Sequence, residues 1–149
     1  MIEWRWRVPA LIKTADNRNP KREDAPVRLM VAFDGDKATL NDKEQSQMAL
    51  AKRLSGREPP YALLMYIWDN ANPVGTIITS THSTRVKMMV AESGPGHVGS
   101  WQSYRRNLAE DFARAFGEAP QTLIGVGLMS DSDNTGEKTE GYYGGIQLT

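Results

Sequence analysis

The sequence predicts a mostly β fold: an antiparallel β-sandwich of the jelly-roll kind, with two short α-helices inserted between strands. Three observations carry that expectation. Several segments alternate apolar and polar residues with period two, as strands with one buried face do. Only two stretches repeat with helical spacing, and strands and helices do not take turns along the chain, which disfavours a doubly wound α/β sheet. Clusters of Gly, Pro, Asn and Asp punctuate the segments as turns. At 149 residues the chain is sized for one domain, residues 1–149.

The first strand runs from Ile2 to Val8. Ile2, Trp4, Trp6 and Val8 point one way, and Glu3, Arg5 and Arg7 the other. Residues 13–26 are polar, with two prolines, and read as an exposed loop. Val27 to Asp34 alternates again. Asn41 to Leu54 reads as a helix, with Asn41 as cap, Glu44 completing a capping box, an apolar stripe of Met48, Leu50, Ala51 and Leu54, and Gly56 as the stop. Tyr61 to Trp68 is nearly all apolar, the pattern of a central strand covered on both faces. A short strand at 76–79 follows, then one at 84–92 with Val86, Met88 and Val90 inward. Arg85, Lys87 and Arg28 are expected on outward, solvated positions. Residues 100–106 form a further strand, expected to bury Trp101. Asn107 to Phe116 is the clearest helix, with Leu108, Phe112, Ala115 and Phe116 on one face and Gly117 as the stop. Thr122 to Met129 and Tyr142 to Leu148 are the last strands, joined by a polar, mostly acidic loop.

Composition narrows the function. Eighteen basic residues balance eighteen acidic ones, so net charge is zero, which argues against a general nucleic-acid binder. No run approaches the roughly 18 apolar residues of a membrane-spanning helix. Cysteine is absent, which excludes disulfides, thiolate zinc sites and a Cys nucleophile. No nucleophile elbow, phosphate-binding loop or dinucleotide fingerprint is present. His82 and His97 are isolated, without acidic residues at metal-ligand spacing.

Two groups of residues have chemistry to offer. Asp131, Asp133, Asn134 and Glu137 concentrate oxygen ligands of the kind calcium takes. An EF-hand is excluded, because Thr135 and Tyr142 occupy positions that need ligands. The competing expectation is a structural loop, held by side-chain bonds to backbone and by an Arg from a neighbouring strand. The second group is aromatic. Trp4, Trp6, Trp68, Trp101, Tyr66, Tyr104, Tyr142 and Tyr143 include enough rings for a sugar-stacking platform, although most such rings belong to cores. Trp68, Asp69, Tyr104, Arg105 and Tyr142 are the ligand-binding candidates. Catalytic residues are not identifiable; Asp69, Glu92, Asp111 and Asp133 are the carboxylates a glycan-cleaving pair would draw on.

A series of motifs in fixed order adds a resemblance. W-R-W-R-V at 4–8, Y-I-W-D-N-A-N-P-V-G-T at 66–76, R-V-K-M-M-V-A-E-S-G at 85–94, W-x-x-x-R-R-N at 101–107, D-F-x-R-A-F-G-E-A-P at 111–120, I-G-V-G-L-M-S-D-S-D-N-T-G at 124–136 and Y-Y-G-G-I at 142–146 resemble the bacterial domain-of-unknown-function 3047 family. The resemblance implies a galactose-binding-like jelly roll and export to the periplasm or cell envelope. It also implies a signal and further strands ahead of the W-x-W motif, so the domain is expected to be N-terminally incomplete; a chain complete at Met1 would stay in the cytoplasm. The expected function is a non-catalytic binding or structural module for a carbohydrate or another hydroxylated polymer, with no required cofactor and calcium as the one ion to consider. The alternatives are a glycan-active enzyme with paired carboxylates and a docking subunit. Docking, to a second copy or another chain, is expected through the N-terminal strand, whose backbone edge looks free.

Overall fold

In the computed structural model, which describes residues 1–149, the alternating segments become eight strands. They are β1 (Ile2–Arg7), β2 (Ala25–Phe33), β3 (Ala62–Asp69), β4 (Ile77–Thr79), β5 (Val86–Ser93), β6 (Gln102–Arg106), β7 (Leu123–Asp131) and β8 (Tyr142–Leu148), with helices α1 (Asp42–Ser55) and α2 (Leu108–Phe116). A three-stranded sheet, ordered β6-β1-β8, faces a five-stranded one, ordered β4-β5-β3-β2-β7. The expected mostly β sandwich with two helices is what forms. One pair departs from the antiparallel rule: β3 and β5 run parallel. After β3 the chain passes one position along to make β4, and β5 then returns into the gap between them.

β1 is the centre of the smaller sheet, with antiparallel partners β6 and β8 on its two edges. The expected docking through a free N-terminal strand is therefore excluded, because β8 from the far end of the chain takes the second edge. The Met1 ammonium donates to the Thr149 carbonyl at 2.9 Å. Ile2, Trp4, Trp6 and Val8 are buried, and they pack between the sheets with Val27, Leu29, Val31, Leu64, Tyr66 and Trp68. Trp4 stacks on Tyr104 at 5.0 Å and lies 4.8 Å from Tyr66. Burying one such indole contributes about 4–6 kcal/mol of transfer free energy.

Both helices start and stop as the sequence predicts. Asn41 accepts from the Glu44 amide at 2.8 Å, and Asn107 accepts from the Ala109 and Glu110 amides. Gly56 and Gly117 end them at φ 72° and 74°, where a side chain would be strained. Their packing differs. Phe112 of α2 is buried, 4.6 Å from Phe33 and 4.6 Å from Phe116. The stripe on α1 is mostly exposed: only Met48 is buried, while Leu50 is 53% and Leu54 80% exposed. Besides Met48, its first-turn Glu44 accepts from the Thr84 hydroxyl at 2.8 Å and pairs with Arg85 at 3.7 Å, just ahead of β5.

The far face of the five-stranded sheet carries a second apolar cluster of Ala25, Met65, Ile67, Ile78, Met88 and Val90. Both faces of β5 are thus covered, with Met89 in the inter-sheet core. Arg28 is buried there too, against Met65 and Met88, and Arg85 is buried elsewhere, against Tyr61 and Phe116, at 1% and 9% exposure, not solvated as their positions led us to expect. The polar segment before β2 is likewise partly buried, through Asn17, Glu23 and Asp24. A buried guanidinium needs acceptors: Arg28 finds Asp131 and, from this segment, Asn17, whereas Arg85 finds the Tyr61 carbonyl, Glu44 and Glu118.

Phe112→Ala is expected to destabilise the chain by about 3–5 kcal/mol in chemical denaturation, as cavity-forming core truncations do. A loss below about 1 kcal/mol would mean that α2 does not seal the core.

Candidate functional site

The acidic loop resolves into a structural network. The Arg28 Nε donates to Asp131 Oδ1 at 3.0 Å and one Nη to Oδ2 at 3.3 Å. Asp131 also accepts from the Ala25 amide. The same guanidinium reaches Asn17 at 3.5 Å, and Asn17 donates to Asp69 at 2.7 Å. Asp69 in turn holds the amides of Ala71 and Asn72. Asp24 accepts from the Thr135 amide at 2.7 Å, and the Asn134 amide group donates to the Glu23 carbonyl. Glu137 turns away, onto the Thr14 hydroxyl and the Thr14 and Lys13 amides. Those bonds, the Thr14 hydroxyl first, hold its carboxyl below the usual carboxylate range.

Of the four expected calcium ligands, then, only Asp131 and Asp133 converge, joined by Asp24, with oxygens within 4.8 Å of one another. Asn134 and Glu137 are spent elsewhere. The Asp131 charge is met by Arg28 and the Ala25 amide, and that of Asp24 by the Thr135 amide. The cleft beside them, of about 300 Å3, sits at the lower limit for a ligand pocket.

Core and turn absorb three of the five ligand-binding candidates. Trp68 is fully buried and donates to the Gly94 carbonyl at 3.0 Å, so it is no stacking platform. Asp69 is buried and caps its own turn. Tyr104 donates to Glu92 at 2.9 Å and accepts from the Trp6 indole at 3.1 Å; burial, then the Glu92 bond, pushes its phenol above the usual range. His97 lies 3.1 Å from the other Glu92 oxygen. Asp111 takes two bonds from Arg106, at 2.9 and 2.6 Å, and one from Tyr66 at 2.7 Å. The carboxylates considered for catalysis are thus distributed among separate networks.

The remaining two candidates, Arg105 and Tyr142, share the outer face of the three-stranded sheet. The register builds that face row by row. Arg7 lies opposite Tyr142, Arg5 between Ser103 and Gly144, and Glu3 between Arg105 and Gln147. Trp101 just precedes β6 and completes the face. It is 44% exposed and Tyr142 42%. The Arg5 guanidinium lies over the Trp101 ring at 4.8 Å, and that of Arg7 over Tyr142 at 4.7 Å. The one ion pair here joins Arg105 to Glu3 at 3.5 Å. A Cβ on Gly144 would come within 3.1 Å of Arg5 Nε, so glycine leaves Arg5 room to lie across the strands. The expected burial of Trp101 is corrected: Tyr104 stacks inward on Trp4, and a residue three positions away on an alternating segment faces out.

This arrangement, an open sheet face with two rings and three arginines, belongs to a recognisable sequence family. A match to the family described as Protein of unknown function (DUF3047) covers residues 1–147. The chain belongs to that family. Neither the curated proteins nor the solved structures contain a match. In this DUF3047 chain the W-R-W-R motif divides its labour: tryptophans to the core, arginines to the open face.

Asp131→Ala is expected to cost about 3 kcal/mol, because it leaves the Arg28 charge buried and unpaired. Millimolar calcium is expected to leave the melting temperature unchanged. A calcium-dependent rise that Asp133→Asn removes would show instead that the loop holds a cation.

Proposed function

We propose that this chain is a non-catalytic binding module that holds a carbohydrate, or another hydroxylated polymer, on the outer face of the β6-β1-β8 sheet. By its family resemblance we assign it to the bacterial cell envelope. The observation that carries the reading is the exposed pair Trp101 and Tyr142, each backed by a stacked arginine. Sugar rings present apolar faces that stack on such aromatics, while neighbouring polar side chains bond their hydroxyls. A solvent-exposed indole costs the protein nothing in core packing and is enriched where surfaces bind. The two carboxylates of the face are both engaged: Glu3 pairs with Arg105, and Glu140 at the edge accepts from the Tyr142 hydroxyl. Glycoside hydrolysis needs two that are free to act, about 5–9.5 Å apart across the scissile bond, which is why we favour binding over catalysis. A glycan array probed with the wild-type chain, Trp101→Ala and Tyr142→Ala tests this. Retention of at least one glycan class, weakened about tenfold in each variant, is the expected result; no retained glycan, or retention indifferent to both changes, would refute it.

A second reading, docking of another copy, has its own observation. β7 is an edge strand with no charge or proline from Leu123 to Ser130, the guards that edges usually carry. Ile124, Val126 and Leu128 on it, with Ile146 and Leu148 on β8, are exposed by 36–55%. Antiparallel pairing of β7 with its own copy about a twofold axis would cover them. Under this reading light scattering at about 100 μM gives a dimer mass and Val126→Lys a monomer; a monomer in both cases excludes association of micromolar strength.

A further inference from the structure

We infer that the ligand of this outer face is an acidic polysaccharide, one whose sugar rings carry carboxylates; the inference rests on reading the face as a carbohydrate surface. The argument starts from charge. Arg5, Arg7 and Arg105 face outward against two carboxylates: Glu3, which is taken by Arg105, and Glu140 at the edge, which accepts from the Tyr142 hydroxyl at 3.3 Å. Arg5 and Arg7 are left without an acidic partner.

Geometry sharpens this. The two arginines are two residues apart on one face of one strand, so their Cα atoms are about 7 Å apart along it. Each guanidinium carbon lies over an aromatic ring, 4.8 Å from the Trp101 centroid and 4.7 Å from that of Tyr142. Cation–π attraction favours keeping the groups on this face, where a guanidinium can grip a carboxylate with two bonds.

The balance of donors and acceptors points the same way. A neutral sugar hydroxyl both donates and accepts, and a surface built for it offers both. Guanidinium groups only donate. Here the unengaged side chains are two arginines with Ser103 and Gln147 beside them, a donor-rich set that favours an acceptor-rich ligand. Arginines beside exposed rings also suit single-stranded nucleic acid. That partner needs a basic field along the strand, and the chain as a whole has net charge zero.

The test is isothermal titration of the full chain with three probes: an oligogalacturonate, a neutral galactan oligosaccharide of the same length, and an oligothymidylate. Each is measured at about 50 and about 500 mM NaCl, where exposed ion pairs are weakly and strongly screened. The expected result is binding of the uronate oligomer, at least about tenfold weaker binding of the neutral one, and loss of that preference at high salt. Arg5→Gln with Arg7→Gln removes the preference, and Arg5→Gln alone, at an exposed position, reduces it. Arg7→Lys keeps the charge but loses the two-bond grip, and is expected to fall between wild type and Arg7→Gln. Trp101→Ala weakens both sugars. Equal binding of acidic and neutral sugars, indifferent to the arginines, overturns the acidic assignment and leaves the carbohydrate reading standing. Binding of neither sugar, or tighter binding of the oligothymidylate, overturns both.

Discussion

Everything on the outer face depends on the phase of β1. A strand's side chains alternate with period two, so a strand that commits Trp4 and Trp6 to the core must turn Arg5 and Arg7 away from it. A one-residue slip would bury two guanidiniums and expose two indoles. The cost of that exchange, several kcal/mol for each unpaired buried charge, fixes the register. Pairing on both sides strengthens the constraint. β6 and β8 bond to the two edges of β1, so Trp101 and Tyr142 are held beside the arginines by the same ladder that seals the core.

The interior is unusually rich in satisfied polar groups. Arg28 bridges Asp131 and Asn17, Asn17 continues to Asp69, and Arg106 and Tyr66 converge on Asp111. Each network ties together segments remote in sequence: the segment before β2 to the loop after β7, and β6 and α2 to β3. Such bonds add little net stability, because desolvation offsets most of their electrostatic gain. Breaking one side of them is costly, which ties the long loops to a single arrangement. Most of the carboxylates with chemistry to offer are therefore occupied in holding the fold, while Arg5 and Arg7 on the outer face of the β6-β1-β8 sheet lie over rings and not in ion pairs.

Much of the fold was legible because it rests on local rules. Period two located β1, β2 and β5, a continuous apolar run located β3, Asn caps and terminal glycines located both helices, and the family motifs agreed. What escaped had non-local causes. The parallel β3-β5 pair follows from strand insertion, which no periodicity reports. Trp101 was misplaced because an isolated tryptophan beside a strand does not show its phase; only the stacking of Tyr104 on Trp4 does. Arg28 read as a surface residue because its partners lie 11 and 103 residues away. Of the ligand-binding candidates, Arg105 and Tyr142 fell on the open face, while Trp68, Asp69 and Tyr104 were absorbed by core and turn. Arg5 and Arg7 were visible as an outward pair, but the rings beneath them came into view only with the register.

The central claim is that the face carrying Arg5, Arg7, Trp101 and Tyr142 is where this protein meets its ligand. Chemical-shift mapping by NMR, with isotope-labelled chain titrated by an oligogalacturonate, tests it most directly. The account predicts that the largest shifts fall on the Trp101 indole N–H, the Arg5 and Arg7 side-chain N–H groups, and the backbone of Ser103, Tyr142 and Gly144. Shifts confined to the loop from Asp131 to Glu137 or to β7, or no shifts at all, would contradict it.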